Sequence, residues 1–165
     1  MSSAGIPITP RSWQPREMLM VSEFLAKNYK GRNWQTRVRL GTPASALPAG
    51  ELSDAERKML QVYARWADAI IFDSKTITII EAKIKPQLGP LEALIVYKNL
   101  FLSDPAYAEH HKKRIDLQFL YAVEDPVEVN LARQLGITPI QYRPNWLSEY
   151  FDILSARERR APRSV

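Results

Sequence analysis

The stretch ADAIIFDSKTITIIEAK, residues 67–83, decides the fold. Two runs rich in isoleucine, threonine and phenylalanine flank polar residues at 73–76, which is typical of two β-strands joined by a tight turn. A two-residue turn at 74–75 and a four-residue turn at 73–76 give the same register, and that register places Asp68 opposite Glu81. A three-residue loop would break it.

The facing carboxylates need an explanation, because like charges opposite each other in a sheet are destabilising. Since side chains alternate along a strand, Lys83 shares their face. A proton on one carboxylate, a bridge through Lys83 or a divalent cation would each offset the repulsion. The neighbours on this face are apolar, so an unpaired charge would be costly there; they are Ile70, Phe72, Ile77 and Ile79. A bound cation is the most economical explanation.

A carboxylate pair with a lysine two residues after the second carboxylate resembles the motif of the PD-(D/E)XK nuclease superfamily. Asp68 matches the motif's aspartate and Glu81-Ala82-Lys83 its ExK tripeptide. The tripeptide alone is unspecific, because Glu56-Arg57-Lys58 and Asp73-Ser74-Lys75 fit the same pattern. Only Glu81-Ala82-Lys83 ends a strand that an aspartate faces. Ala67 stands where the family name calls for proline.

The resemblance implies an Mg²⁺- or Mn²⁺-dependent nuclease that hydrolyses DNA phosphodiester bonds. Asp68 and Glu81 would be metal ligands, the Ala82 carbonyl a third ligand, and Lys83 would orient the attacking water or stabilise developing negative charge. Gln87 and Lys98 are weaker candidates for contacting the scissile phosphate.

Many members of the superfamily carry a further acidic residue on the first helix. We choose Glu17, because it shares a helical face with apolar Val21 and Phe24. Glu23 lies four residues before Lys27 and is expected to form an exposed ion pair with it.

The element order predicts an α/β fold, a restriction-endonuclease-like core with a central mixed β-sheet flanked by helices. We expect an extended arm at 1–15, the nuclease-like domain at 16–156 and a basic, flexible tail at 157–165. The predicted helices are 16–29, a short one from Ser53 or Asp54 to about Tyr63, 90–102, 126–135 and one around 146–154; the predicted strands are 33–41, the hairpin, 114–123 and 137–143. The resemblance spans roughly 16–142.

Composition limits the function classes. The chain has 165 residues, no cysteine, two histidines and a net charge of +5, so thiolate chemistry is excluded and phosphate-rich partners are favoured. With no apolar run long enough for a membrane span, we expect no membrane partner and a cytoplasmic protein, or a virion-associated one if a phage encodes it.

The arginines of the first strand have two interpretations, and the tryptophans are assigned by their neighbours. Arg37 and Arg39 lie on the polar face of the first strand, where they either track DNA phosphates or only keep that face hydrated. Trp66 and Trp146 have apolar neighbours and are expected in the core. Trp13, in the arm, is the tryptophan expected to reach a partner.

Two rival functions remain open. One is a catalytically silent protein that kept the fold for a structural or DNA-binding role in a nucleoprotein or phage virion assembly. The other is a phosphodiesterase acting on RNA or nucleotides by the same metal chemistry. A homo-oligomer is compatible with either, although the sequence carries no dimer signature.

Overall fold

The computed structural model describes residues 16–41, 53–56 and 65–161. These residues form an α/β fold with a five-stranded mixed sheet flanked by helices, as predicted. The strands are β1 (Trp34–Leu40), β2 (Arg65–Phe72), β3 (Thr76–Lys83), β4 (Arg114–Tyr121) and β5 (Thr138–Gln141), in the spatial order β1-β2-β3-β4-β5. β1, β2 and β3 pair antiparallel, whereas β4 and β5 continue parallel to β3.

Within the described residues, four α-helices and one 3₁₀ helix accompany the sheet, besides a helical segment at 54–56. They are α1 (Glu17–Asn28), α2 (Pro90–Ser103), the 3₁₀ helix (Pro105–His110), α3 (Pro126–Gln134) and α4 (Leu147–Arg160). None of the helices in the described ranges is long and apolar enough to cross a membrane. The predicted arm, the loop at 42–52 and most of the short helix that follows it lie outside the described residues.

The sheet is covered on both faces. On one face, the core includes Ile70, Ile77 and Ile79 together with residues of α2 and α3. On the other, it includes Ile71 and Ile80 together with residues of α1 and α4. β3 is the central strand, and its six inner residues are all buried, which explains why its sequence is almost continuously apolar.

The predicted hairpin register is confirmed. Phe72 pairs with Ile77 and Ala69 with Ile80, so one further step sets Asp68 against Glu81. At the turn, the Asp73 N–H donates to the Thr76 carbonyl at 3.0 Å. The rest of the hairpin face is apolar as expected, since Ile70, Ile77 and Ile79 are fully buried.

β1 departs from the regular strand that we expected. Arg37 has a positive φ of 52°, which is uncommon outside glycine. Trp34, before it, packs with the α1 layer, whereas Val38, after it, packs with the α2 layer. The buried residues of β1 therefore divide between the two faces of the sheet instead of lying on one. In the register, Arg37 falls between the Thr36–Ala69 and Val38–Ala67 pairs, at the level of Asp68.

The C-terminal boundary also differs from the prediction. α4 continues to Arg160, four residues beyond the predicted domain end at 156. The physical reason is that Arg, Ala and Glu are good helix formers and that arginines in the last turn complement the helix dipole. The first part of the predicted flexible tail is therefore helical.

Candidate functional site

Asp68, Glu81 and Lys83 meet at one end of the β2–β3 hairpin. Lys83 Nζ lies 3.2 Å from Glu81 Oε1, and the lysine side chain is 24% exposed. The positive charge of Lys83 also acts on Asp68. The strand alternation that brings Glu81 and Lys83 to one face, and the register that sets Asp68 opposite, thus build the predicted group.

Asp68 is held by the backbone of the facing strand. Its Oδ2 accepts a hydrogen bond from the Ala82 N–H at 2.8 Å. Because the N–H and C=O of one strand residue point to the same side, the Ala82 carbonyl also points towards β2. The predicted set of Asp68, Glu81 and the Ala82 carbonyl is therefore compatible with this backbone.

The surroundings of both carboxyl groups raise their pKa values. Burial raises the pKa of Asp68, while the Ala82 N–H and Lys83 oppose that rise. Burial, followed by the negative charge of Asp68, raises the pKa of Glu81 to about 7, although Lys83 favours the charged form. An acid whose pKa is raised in this way is a frequent feature of functional sites.

Tyr97 of α2 completes the buried side of the site. Its side chain is buried, and its hydroxyl favours the charged form of Glu81. Burial and the charges of Glu81 and Asp68 raise the pKa of Tyr97 far above its usual range, so the phenol keeps its proton. The sequence analysis did not select Tyr97. Its position, seven residues after Pro90 in the predicted helix, was the one signal that could have identified it.

One oxygen of Glu81 has no partner. Oε2 is buried and accepts no hydrogen bond within the described part of the chain, and the residue is only 7% exposed. An unsatisfied buried carboxylate oxygen is costly. A hard divalent cation fits this donor set, since Mg²⁺ binds one or two carboxylates and keeps several waters.

Glu17 approaches this pair without joining it in one cluster. It is half-buried at the start of α1, and its negative charge raises the pKa of Asp68. Yet no three His, Cys, Asp or Glu side chains within 16–41, 53–56 and 65–161 converge closely enough to hold a metal ion. Glu17 therefore acts on Asp68 through its charge, but it does not form a three-carboxylate cluster with Asp68 and Glu81.

The expectation for Glu23 is wrong. Its carboxylate accepts a hydrogen bond from the Trp146 indole N–H at 2.8 Å, while the Lys27 ammonium lies over the Tyr142 ring. The aromatic neighbours come from beyond β5, more than a hundred residues away in sequence. Helical spacing alone therefore could not show that they replace the predicted ion pair.

Comparisons with known proteins leave the family open. No protein-family model matches the sequence, and no curated protein matches it. Among solved structures, protein VC1899 from Vibrio cholerae is similar over 86% of this chain, with a TM-score of 0.42 and 13% sequence identity. The match covers 31% of that protein, so the chain spans about a third of its length.

Gln87 and Lys98 form no hydrogen bond or ion pair with Asp68 or Glu81 among the described residues. Gln87 is exposed and lines a groove of about 710 Å³ between the β3–α2 loop and α3. Lys98 follows Tyr97 on α2 but forms no ion pair with Asp68 or Glu81 in the described ranges. On α2, it is the pKa of Tyr97 that the negative charge of Glu81 raises.

A basic group next to the site was only partly anticipated. Arg37 and Arg39 lie on β1, as predicted, and neither forms an ion pair with a described residue. Arg65, at the start of β2, is exposed, and its positive charge acts on Tyr97. Sequence reasoning did not select Arg65, because the strand that contains it was taken to begin at Ala67.

Trp66 is the clearest departure from the sequence-based core. It is 49% exposed, whereas Trp146 packs against the α1 layer as expected. Ala67 occupies the adjacent buried position, and the alternation of side chains then turns Trp66 outward. An apolar neighbourhood in sequence therefore did not mean burial.

Proposed function

We propose that this protein is a metal-dependent nuclease that hydrolyses DNA phosphodiester bonds at Asp68, Glu81 and Lys83. The observation that carries the proposal is the buried Oε2 of Glu81, which has no hydrogen-bond partner among the described residues, on a residue set opposite Asp68 by the hairpin register. A structural surface hairpin has no need of a buried carboxylate that lacks a partner, whereas a cation site does.

The residues that would hold the cation are Asp68, Glu81 and the Ala82 carbonyl. A divalent cation bound there supplies Lewis-acid polarisation of the phosphodiester and a water of lowered pKa. Asp68 is kept in position by its hydrogen bond from the Ala82 N–H. Lys83 orients Glu81 through their ion pair, and the Tyr97 hydroxyl favours the charged form of Glu81.

Lys83 has a second role in the reaction. Its ammonium is partly exposed, so it can face both Glu81 and a phosphate that enters from solvent. There it orients the attacking water by hydrogen bonding and offsets the negative charge that develops on the phosphate oxygens. A neutral side chain of similar length would pack in the same place but would do neither.

A nucleic-acid substrate is supported by charge. The chain carries a net charge of +5. Arg37 and Arg39 on β1 and Arg65 on β2, the strand of Asp68, form no ion pair with a described residue. Phosphate contacts of this kind attract a polyanion independently of its sequence and weaken with salt. They favour a nucleic acid over a small nucleotide as the substrate.

The test is cleavage of labelled linear, nicked and branched DNA, and of RNA, in Mg²⁺, Mn²⁺ or EDTA. Asp68→Asn and Lys83→Ala should each lower the rate by roughly a hundredfold or more, because each removes a group used in the transition state. The matched controls are Asp116→Asn, at an exposed carboxylate of β4, and Lys75→Ala, in the hairpin turn. A parent chain that cleaves none of these substrates, or cleaves RNA alone, contradicts the proposal.

One observation favours the alternative function, a catalytically silent protein with a structural role in an assembly. The groove between the β3–α2 loop and α3 exposes Leu88 by 98% and Val127 by 76%. Its charged lining residues, Glu92, Asp125 and Glu128, are all acidic. Such a groove fits a cationic amphipathic segment of a partner protein and repels DNA. Absence of cleavage, together with binding of a basic amphipathic peptide that Val127→Glu abolishes, would favour this role.

A further inference from the structure

Trp66 is an exposed aromatic ring in an otherwise basic surface. Its residue is 49% exposed, and no described aromatic ring or cationic group stacks on its indole. Tryptophan is usually well buried, so an indole left half-exposed is unusual in a folded sheet. A bound molecule with a flat π-face would cover it.

One arginine lies beside Trp66 on the neighbouring strand. Arg39 is directly across from it on β1 and therefore on the same face of the sheet, whereas Arg65, the preceding residue of β2, points to the opposite face. Arg39 forms no ion pair among the described residues. An exposed ring beside such a guanidinium group is the combination that binds single-stranded nucleic acid, in which bases stack on aromatic side chains while cations follow the phosphates.

The position of Trp66 connects this surface to the candidate catalytic group. Trp66 precedes Asp68 by two residues on β2, which corresponds to about 7 Å along a strand. Arg37 falls at the level of Asp68, between the Thr36–Ala69 and Val38–Ala67 pairs of the register. A strand held on Trp66 and Arg39 therefore passes next to Asp68.

We propose that Trp66, with Arg39, is a stacking platform for an unpaired base, and that the substrate is DNA with a single-stranded segment. The inference rests on the proposed nuclease function for its link to catalysis. In an intact duplex every base already stacks on its neighbours, so the indole has no free base to bind. Single-stranded DNA, or an end with an unpaired strand, offers that base without prior unpairing.

The test measures binding in EDTA, and in parallel with Ca²⁺, so that cleavage does not contribute. A short oligothymidylate and a blunt hairpin duplex of equal phosphate number are titrated while intrinsic tryptophan fluorescence is followed. We expect tighter binding of the oligothymidylate, with quenching of the fluorescence. Trp66→Ala should weaken that binding roughly tenfold to a hundredfold and leave duplex binding almost unchanged.

Trp66→Phe and Leu88→Ala separate stacking from other effects. Trp66→Phe should keep most of the affinity, because phenylalanine also stacks, but should lose most of the quenching. Leu88→Ala removes an apolar residue that is even more exposed, at 98%, and lies elsewhere, so it should change neither quantity. The inference is overturned if Trp66→Ala loses equal affinity for the oligothymidylate and the duplex. It is also overturned if Trp66→Ala binds both oligonucleotides as the parent chain does.

The two proposals fail in different ways. If the parent chain binds oligothymidylate through Trp66 but cleaves nothing in Mg²⁺ or Mn²⁺, the stacking platform stands and the nuclease function falls. If the parent cleaves DNA but Trp66→Ala leaves its preference between single-stranded and duplex substrates unchanged, the nuclease function stands and the platform falls.

Discussion

Glu81 Oε1 lies 3.2 Å from Lys83 Nζ, whereas Glu81 Oε2 is buried without a hydrogen-bond partner among the described residues. The lysine therefore compensates only one side of the carboxylate. The other side faces Asp68, a second carboxyl group whose charge opposes ionisation of Glu81. The folded protein thus holds an acid that is expensive to ionise until something positive reaches Oε2, and the stability of the fold should report this.

Glu81→Gln should stabilise the metal-free protein at alkaline pH. Because the folded pKa of Glu81 is raised from 4.5 to about 7, its contribution to stability is complete below pH 4.5 and is lost as pH rises through 7. The full shift corresponds to roughly 3 kcal/mol. We expect Glu81→Gln to raise the free energy of unfolding by about 1–3 kcal/mol near pH 8 and to change it little near pH 4.5.

Urea denaturation in EDTA at several pH values checks this prediction. Asp116→Asn, in which only an exposed ion pair is lost, is the control and should shift the curve by under about 1 kcal/mol at each pH. A pH dependence that is identical in the parent and Glu81→Gln would show that Glu81 does not ionise within this range.

Mg²⁺ should stabilise the parent chain more at high pH than at low pH. The cation and the proton compete for the same carboxyl oxygens, so protonated Asp68 and Glu81 bind metal poorly. At millimolar Mg²⁺ we expect the melting temperature to rise by about 2–5 °C near pH 8 and by under about 1 °C near pH 5. Differential scanning fluorimetry gives both values, and an equal rise at both pH values would place the metal elsewhere.

Glu17 and Glu23 should differ in activity although both lie on α1. Glu17 acts on Asp68, so Glu17→Gln should lower metal-dependent cleavage by roughly tenfold. Glu23 bonds to the Trp146 indole, so Glu23→Gln should change stability without changing the cleavage rate per folded molecule. Equal losses of activity in the two variants would contradict this assignment, and kinetics normalised to the folded fraction decide between the outcomes.

Arg37→Gly should separate backbone strain from DNA binding. Glycine relieves the positive φ of Arg37, an effect on the order of 1 kcal/mol, while the loss of the guanidinium weakens oligonucleotide binding. Arg39→Gly, at an ordinary strand position, should also weaken binding but should destabilise the fold by up to about 1 kcal/mol. Urea unfolding and oligonucleotide titration of both variants provide the measurement; a larger loss of stability in Arg37→Gly would argue against strain at Arg37.

The hairpin was predictable because its information is local. Alternation and turn length together fix the register, so the meeting of Asp68, Glu81 and Lys83 follows from residues 67–83 alone. Pro90 at the start of α2 and Gly136 after α3 are likewise local signals, and both act where they were expected.

Residues whose partners come from distant segments were not predictable in this way. The approach of Trp146 to Glu23 and of Tyr97 to Glu81 depends on how helices pack across the sheet. The exposure of Trp66 and the change of face at Arg37 depend on the exact start of β2 and on one backbone angle, neither of which a hydrophobic pattern contains.

The most direct test of the central claim is calorimetric titration of the parent chain, Glu81→Gln and Asp116→Asn with Mn²⁺ near pH 8. We predict that the parent and Asp116→Asn bind the cation with similar affinity and that Glu81→Gln binds it at least about tenfold more weakly. Equal affinity in all three proteins, or no binding by the parent, would show that the buried Glu81 oxygen is not a metal ligand.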